Sequence, residues 1–334
     1  VGVIIGLGFL SAFVAQVFIA PVADRGRARQ LVTLGVLVNV AGLLMMGLGD
    51  TFGIITAGRI ISGVGIGAAT PAIRRIVVLA DPANLGRNLG LMLSADVFGF
   101  AAGPAISAVL VGPLGLAAPF LVVAGATAVL VLATFRVRVA ETIEPSPQRL
   151  ALDLLRLRPV AGAVALGASV FLMIGAFDAL WDVVHEDLET PTWMANLGIT
   201  LFAVPLIVLG PVGGRLAQRF GPYLFAAAGL VFGAAFMVTY GLLPTGTWIF
   251  GFSMGHALTD GLTIASSGVA VSMAVPEERQ AGAQGVMGAA QALTGGITAI
   301  VIGGLYDHFG RATAYAAGAV GMLVLLVVGM ALAA

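Results

Sequence analysis

The sequence has no cysteine and no lysine, and only 10% of its 334 residues are charged. The missing cysteine excludes disulfides, thiolate metal sites and cysteine nucleophiles. A soluble globular chain carries about 25% charged residues, so this chain has too few to cover a water-exposed surface. Its 16 positive residues are all arginine and form no basic domain, so we expect no nucleic-acid partner.

The chain also lacks several motifs of catalysis. It has no Glu-x-x-His pair in an apolar segment, no Ser-Lys arrangement and no phosphate-cradling loop. We therefore expect neither an enzyme nor an ATP-driven pump, and no cofactor. Asp178, Asp182 and His185 lie near the end of one apolar segment. We expect Asp182 and His185 to lie in headgroup water rather than in a metal site.

Apolar blocks of about 20 residues, the length that crosses a roughly 30 Å hydrocarbon core, follow one another along the chain. We predict an all-α membrane protein with eleven spans, at residues 1–20, 30–49, 51–79, 87–111, 116–135, 160–184, 192–213, 222–243, 246–273, 282–304 and 312–333. Residues 136–159 are hydrophilic and divide the chain into an N-terminal bundle, 1–135, and a C-terminal bundle, 160–334. The first block lacks the basic start of a signal peptide, so we interpret it as a span.

Arginine placement predicts the orientation. Fourteen of the sixteen arginines fall in alternate loops on one side, which the positive-inside rule assigns to the cytoplasm of a plasma membrane. The linker 136–159 lies on that side. Within it Leu150, Leu154 and Leu157 share one helical face, which is typical of a helix lying on the membrane surface.

Two short turns have the same pattern at corresponding places in the two halves, as in transporters built from parallel repeats. The first contains Asp24, Arg25, Gly26 and Arg27, and the second contains Gly214, Gln218, Arg219 and Gly221. Both resemble the signature loop of the major facilitator superfamily, G-x-L-A-D-R-x-G-R. The first has one residue fewer between arginine and glycine, and the second has Gln218 in place of the acid. The resemblance implies that both turns are conformational latches between helices.

The fourth span resembles the antiporter motif of the same superfamily. The matching positions are Gly90, Gly99, Gly103 and Pro104, with Ser107-Ala108 in place of the last glycine pair. Arg59 begins a segment similar to the family's R-x-x-Q-G-x-G signature, with Ser62 for the glutamine. The resemblance implies a two-bundle fold of twelve helices and the drug/proton antiporter branch. We therefore expect the first span here to be the family's second helix and the first helix to be absent.

The ninth span carries a polar stripe. Its members, at spacings of 3, 4, 3 and 4, are Ser253, His256, Asp260, Thr263 and Ser267. Polar groups inside a bilayer must face water or polar partners, so we predict that the stripe lines a central cavity. The alternative is that the hydroxyls bond back to their own helix and that His256 pairs with Asp260 for packing. Further cavity candidates are Gln284, Gln291 and Asn39, although Asn39 also suits a helix–helix hydrogen bond.

Ionisable side chains inside spans are costly and therefore indicate function. The proton-coupling candidates are Asp96, Asp260, His256 and Arg59. Asp96 lies roughly 13 Å from the cytoplasmic end of its span by helical rise. Gly99 and Gly103 continue along its face and would admit a neighbouring helix. Arg59 could instead extend outward to the membrane surface.

The leading hypothesis is a monomeric, proton-coupled secondary transporter that exports small hydrophobic compounds by alternating access. A transporter of sugars or other polar metabolites is the second hypothesis, although few aromatic side chains besides phenylalanine are present to bind a sugar. The third is a membrane sensor or scaffold that no longer transports.

Overall fold

The computed structural model describes residues 2–136 and 150–334, and in these ranges it contains eleven α-helices and no strand. The helices are α1 Gly2–Phe18, α2 Ala28–Leu48, α3 Phe52–Ala80, α4 Leu85–Leu114, α5 Ala118–Thr134, α6 Arg158–Asp187, α7 Thr192–Phe220, α8 Pro222–Leu242, α9 Gly246–Thr263, α10 Ser266–Met273 and α11 Gln280–Ala333. The predicted all-α fold is confirmed. Residues 137–149 of the predicted linker lie outside the described ranges.

Much of the surface is apolar. Within the described residues, eight helical stretches are long and apolar enough to cross a membrane, and α5 is a shorter apolar helix. Large apolar side chains such as Phe9, Leu132 and Ile300 are exposed, the last at 79%. Such a surface is suited to hydrocarbon, and the backbone groups are satisfied within helices, as a bilayer requires. The chain is a polytopic integral membrane protein, while the number of eleven spans stays a prediction.

The predicted ninth span is interrupted. The helix ends at Thr263 and restarts at Ser266, so the span comprises α9 and α10. Along α9 the hydroxyls of Ser253, Thr259 and Thr263 each donate to a carbonyl three or four residues earlier. Hydroxyls that bond back in this way often bend a helix, which gives a physical reason for the interruption.

The predicted tenth and eleventh spans are joined by a single residue. Helical conformation continues from Gln280 to Ala333 except at Gly310, whose φ of 78° and ψ of 174° break the helix. Glycine tolerates this left-handed φ without a steric penalty. The predicted connection between residues 304 and 312 is therefore a sharp bend rather than a loop.

The described residues form two compact units, and the division falls within α4 and within α11. The first unit comprises Val1–Pro82, Ala102–Leu154 and Val275–Leu293, and the second comprises Ala83–Ala101, Leu155–Ala274 and Thr294–Ala334. The two bundles in chain order, 1–135 and 160–334, stay a prediction.

Glycines allow helices to approach closely in the first unit. A Cβ placed on Gly42 of α2 would lie 2.5 Å from the carbonyl oxygen of Gly58 on α3. One placed on Gly67 of α3 would lie 2.5 Å from the carbonyl oxygen of Ala12 on α1. Both distances are shorter than any real contact, so α3 packs backbone to backbone against α1 and α2.

The second unit has a core of larger side chains. Leu166, Met173, Met237 and Met322 are each at most 4% exposed and pack together. Tyr240 belongs to the same cluster, at 1% exposed. This core surrounds the polar face of α9.

Candidate functional site

The first signature turn places Asp24 at the N-terminus of α11. Ala20–Arg25 form a 3-10 helix that ends at Gly26, whose φ of 73° favours glycine. The Asp24 carboxylate accepts hydrogen bonds from the backbone N–H groups of Ala281 at 2.9 Å and Gly282 at 2.7 Å. The first N–H groups of a helix lack partners within the helix and carry a partial positive charge, so a carboxylate is stabilised there.

Arg75 of α3 joins this cluster. Its Nε donates to Oδ1 of Asp24 at 3.1 Å, and the two side chains are 0% and 2% exposed. Buried charges are tolerated when they are paired and hydrogen-bonded, and this pair connects α3 to the turn and to α11. In the sequence, Arg75 belongs to the fourteen arginines that predict the cytoplasmic side, and no motif includes it. The signal for its burial is its spacing of 7 and 3 residues from the small residues Ala68 and Ala72, which places all three on one face of α3.

The end of the linker packs beside the same helix terminus. An Nη of Arg279 donates to Oδ1 of Asp153 at 2.6 Å. Ala151 is 2% exposed, and a Cβ placed on Gly282 would lie 2.8 Å from the Ala151 Cβ. The linker therefore contacts the turn of α11 that also binds Asp24.

The predicted apolar face of the linker is only partly buried. Leu154 is 3% exposed, whereas Leu150 and Leu157 are 40% and 46% exposed. Over the described part of the linker, a single 3-10 turn, Leu152–Arg156, takes the place of the longer amphipathic helix that the spacing predicts. Leu154 packs against protein within that turn.

The second signature turn caps another helix. Oε1 of Gln218 accepts a hydrogen bond from the N–H of Gly86 at 2.7 Å, and its Nε2 donates to the carbonyl of Ala83 at 3.2 Å. These groups lie at the N-terminus of α4. A neutral amide thus occupies the place in this turn that the Asp24 carboxylate occupies in the first.

The remaining latch candidates differ in their surroundings. Gly221 has a φ of 104° and ends α7, which requires glycine. Arg219 is exposed and lies over the Phe220 ring at 5.2 Å. In the first turn, Arg25 is half-buried and Arg27 is exposed at the start of α2.

The antiporter-like glycines of α4 do not act alike. A Cβ on Gly90 would lie 2.1 Å from the carbonyl oxygen of Gly210, and one on Gly214 would lie 2.0 Å from that of Gly86. Two pairs of glycines spaced by four residues thus pack α4 on α7. Among the described residues, nothing lies within 4 Å of a Cβ built on Gly99 or on Gly103. The expected close approach of a helix at Gly99 and Gly103 is therefore wrong, because α7 packs on the preceding turns. Pro104 lies inside α4.

Asp96 and Arg59 have contrasting environments. Asp96 is exposed on α4, and its role in proton coupling stays a prediction. Arg59 is half-buried, and a Cβ on Gly8 would lie 2.5 Å from its Nε. The side chain of Arg59 therefore packs on α1 at Gly8.

Asp260 and His256 form a buried pair on α9. Nε2 of His256 lies 3.4 Å from Oδ1 of Asp260, and the two side chains are 1% and 4% exposed. A small pocket beside the carboxylate is lined by Met173, Leu230 and Thr263, among others. The structure confirms that these residues share a face, and that face is turned into the second unit.

The imidazole has aromatic and polar neighbours that the sequence pattern does not indicate. The hydroxyl of Tyr240 lies 2.9 Å from Nδ1 of His256. Phe236 stacks on the imidazole, with ring centroids 4.6 Å apart and planes at 19°. Phe202 meets it edge-on at 5.7 Å. The helical period of α8 does not predict this contact of Tyr240, because the rotation of α8 relative to α9 cannot be read from the sequence.

Two hydroxyls of the stripe follow the alternative interpretation. Ser253 is fully buried and donates to Phe250, while Thr263 donates to Thr259. Ser267 is 2% exposed in α10. Gly251 to Gly255 match the Gly-x-Ser-x-Gly pattern of hydrolases around Ser253. The pattern has no catalytic meaning inside a helix, because a nucleophile elbow needs a strand-to-helix turn that exposes the serine.

The other cavity candidates make contacts within their unit. Oδ1 of Asn39 accepts a hydrogen bond from Ser62 at 2.7 Å, so it links α2 to α3. Oε1 of Gln284 accepts from an Nη of Arg74 at 3.3 Å, and Gln291 is half-buried. Within the described ranges, no three histidine or acidic side chains cluster closely enough to bind a metal.

Comparison with known proteins agrees with this architecture. The family model of the Major Facilitator Superfamily matches residues 1–195 and 165–333. The class C tetracycline resistance protein of Escherichia coli is 26% identical over 318 residues, which cover 91% of this chain and 79% of that protein. The MFS-type transporter dbaD of Emericella nidulans is 24% identical over 215 residues, 62% of this chain and 47% of its own length.

Solved structures share the fold. FucP, a Major Facilitator Superfamily transporter in the outward conformation, superposes with a TM-score of 0.78 at 16% identity, over 99% of this chain and 89% of FucP. The human organic anion transporter TETRAN gives 0.76 at 15% identity, over 97% and 83%. Because the family model matches nearly the whole length, the chain belongs to the Major Facilitator Superfamily of membrane transporters.

Proposed function

We propose that this transporter exports small hydrophobic compounds in exchange for protons, with Asp260 and His256 as the proton site. The observation that carries the proposal is their burial together beside a small pocket in the second unit. A buried carboxylate without a cation is costly when ionised. Protonation of Asp260 therefore changes the free energy of the surrounding packing, which is what coupling to a conformational change requires.

The two signature turns supply the conformational part of the proposal. In the present arrangement Asp24 and Gln218 each bond the N-terminus of a helix. We infer that these bonds stabilise one state of an alternating-access cycle and break in the other. The arginine-rich side is cytoplasmic in this proposal, and the protein acts as a monomer in the plasma membrane.

Drug-like cargo is the substrate class that we propose. The similarity to a tetracycline resistance protein supports it. Asp96 and Arg59 stay secondary candidates for proton coupling.

The test uses the natural full-length protein in everted vesicles, with a panel of labelled hydrophobic compounds. We expect Asp260→Asn to abolish accumulation driven by a proton gradient while exchange of labelled for unlabelled substrate continues, since exchange needs no net proton movement. Asp50→Asn, the same change at an exposed site between α2 and α3, is the control. Proton-driven accumulation at the wild-type level in Asp260→Asn would overturn the proposal, and transport of sugars alone would change its substrate class.

A further inference from the structure

Tyr240 and His256 make a buried hydrogen bond between α8 and α9. The tyrosine hydroxyl lies 2.9 Å from Nδ1, and each side chain is 1% exposed. On the other side of the ring, Nε2 lies 3.4 Å from Oδ1 of Asp260, an ion-pair contact without hydrogen-bond geometry in this state. The imidazole therefore lies between the Tyr240 hydroxyl, which can both donate and accept a hydrogen bond, and the Asp260 carboxyl, which can gain or lose a proton.

The hydrogen on the imidazole can occupy either nitrogen. A neutral histidine has one N–H donor, and its other nitrogen accepts. When Tyr240 donates to Nδ1, the histidine hydrogen is on Nε2, on the Asp260 side of the ring, which suits an ionised carboxylate. When Asp260 carries a proton, its O–H faces Nε2, which must then accept. The histidine hydrogen is then on Nδ1, and the tyrosine oxygen accepts it.

We propose that Tyr240 is a positioning residue of the proton site, which gives Nδ1 of His256 a hydrogen-bond partner in either tautomer, so that the tautomer can follow the charge of Asp260. The inference rests on the proposed function of the pair. The two states differ by one proton. In passing from the first to the second, the hydrogen on Nε2 moves to Oδ1 of Asp260 and the added proton is held on Nδ1. The Tyr240 hydroxyl rotates from donor to acceptor and keeps its own hydrogen.

The groups around the imidazole leave this task to Tyr240. From α8, Phe236 stacks on the ring, and from α7, Phe202 meets it edge-on, so both contacts are apolar. From α6, Met173 lines the pocket beside Asp260. Tyr315 of α11 is also titratable, but its ring meets the ring of Tyr240 edge-on, with centroids 5.8 Å apart.

The variant Tyr240→Phe removes the hydroxyl and keeps the ring. Tyr315→Phe is a matched control, because Tyr315 is 2% exposed and belongs to the same core. In nitrogen NMR of the full-length protein in nanodiscs, we expect the His256 signals of Tyr240→Phe to show a mixture of tautomers. Its proton-driven transport should fall about 10-fold, the ratio that one ordinary hydrogen bond supports, with a displaced pH profile. Substrate exchange should stay at the level of the control.

A double-mutant cycle removes the ambiguity of a folding defect. If Tyr240 acts through the imidazole, Tyr240→Phe should lower the melting temperature no further in a His256→Gln background. Additive effects, or a tautomer signal and pH profile equal to those of Tyr315→Phe, would overturn the inference. Each of these results would leave the proposed function intact. The proposed function fails only if Asp260→Asn keeps its proton-driven transport.

Discussion

Replacing Asp24 with asparagine tests the latch at the N-terminus of α11. The carboxylate accepts two backbone hydrogen bonds and pairs with the buried guanidinium of Arg75. Asparagine has nearly the same shape, but it carries no charge and has one acceptor oxygen instead of two. The variant therefore removes electrostatic attraction while changing the packing little.

The size of the effect follows from these contacts. A hydrogen bond to a charged group contributes ~1.5–3 kcal/mol, and the amide must lose at least one of them. Because about 1.4 kcal/mol corresponds to a tenfold change in an equilibrium, we expect the latched state to lose roughly 10- to 100-fold in population relative to the open state.

The assay uses the absence of cysteine. These 334 residues contain none, so Ala281→Cys introduces a single thiol in a natively cysteine-free segment. Ala281 is fully buried and packs with Ala23 and Ala72, so its thiol reacts only when α11 separates from them. We expect Asp24→Asn to accelerate maleimide labelling by the same 10- to 100-fold.

The control is Asp50→Asn in the same cysteine background, because Asp50 is exposed away from the latch. An unchanged labelling rate in Asp24→Asn would show that the charge does not stabilise this state, and the reasoning would be refuted. Thermal unfolding of both variants separates latch opening from general destabilisation.

Three further substitutions follow from the packing and the linker. Gly90→Ala should lower expression and thermal stability, because its Cβ would lie 2.1 Å from the carbonyl oxygen of Gly210. The control Gly99→Ala should unfold at the wild-type temperature, because no described residue lies within 4 Å of its Cβ. Asp153→Asn should accelerate maleimide labelling of the thiol in Ala281→Cys by less than 10-fold. The reason is that its ion pair with Arg279 is partly exposed, and exposed ion pairs contribute little to stability. A labelling rate above that of Asp24→Asn would contradict this ranking. Gln218→Ala should lower transport by weakening the cap of α4, and no change in rate or stability would show that the cap is dispensable.

The candidate site was only partly predictable. Local spacing places His256 and Asp260 on one face of α9, because the helical period is a property of adjacent residues. It does not show that Tyr240 would approach from α8, since the rotation of one helix against another depends on packing over the whole unit. Asp24 stands out through its motif, whereas its partner Arg75 is 51 residues away and Gly282 is 258 residues away.

The sequence by itself determined the class of this protein. Its scarcity of charge, its apolar blocks and the order of its motifs suffice for a polytopic membrane transporter, because the bilayer imposes length and hydrophobicity on each span separately. Only the tertiary structure decided that His256 and Asp260 are turned into the second unit, and that a carboxylate in one turn and an amide in the other cap α11 and α4. It also decided that, among the described residues, Gly99 and Gly103 have no close helix neighbour. These facts depend on which surfaces meet, and contacts between distant parts of a chain leave no periodic signal in a single sequence.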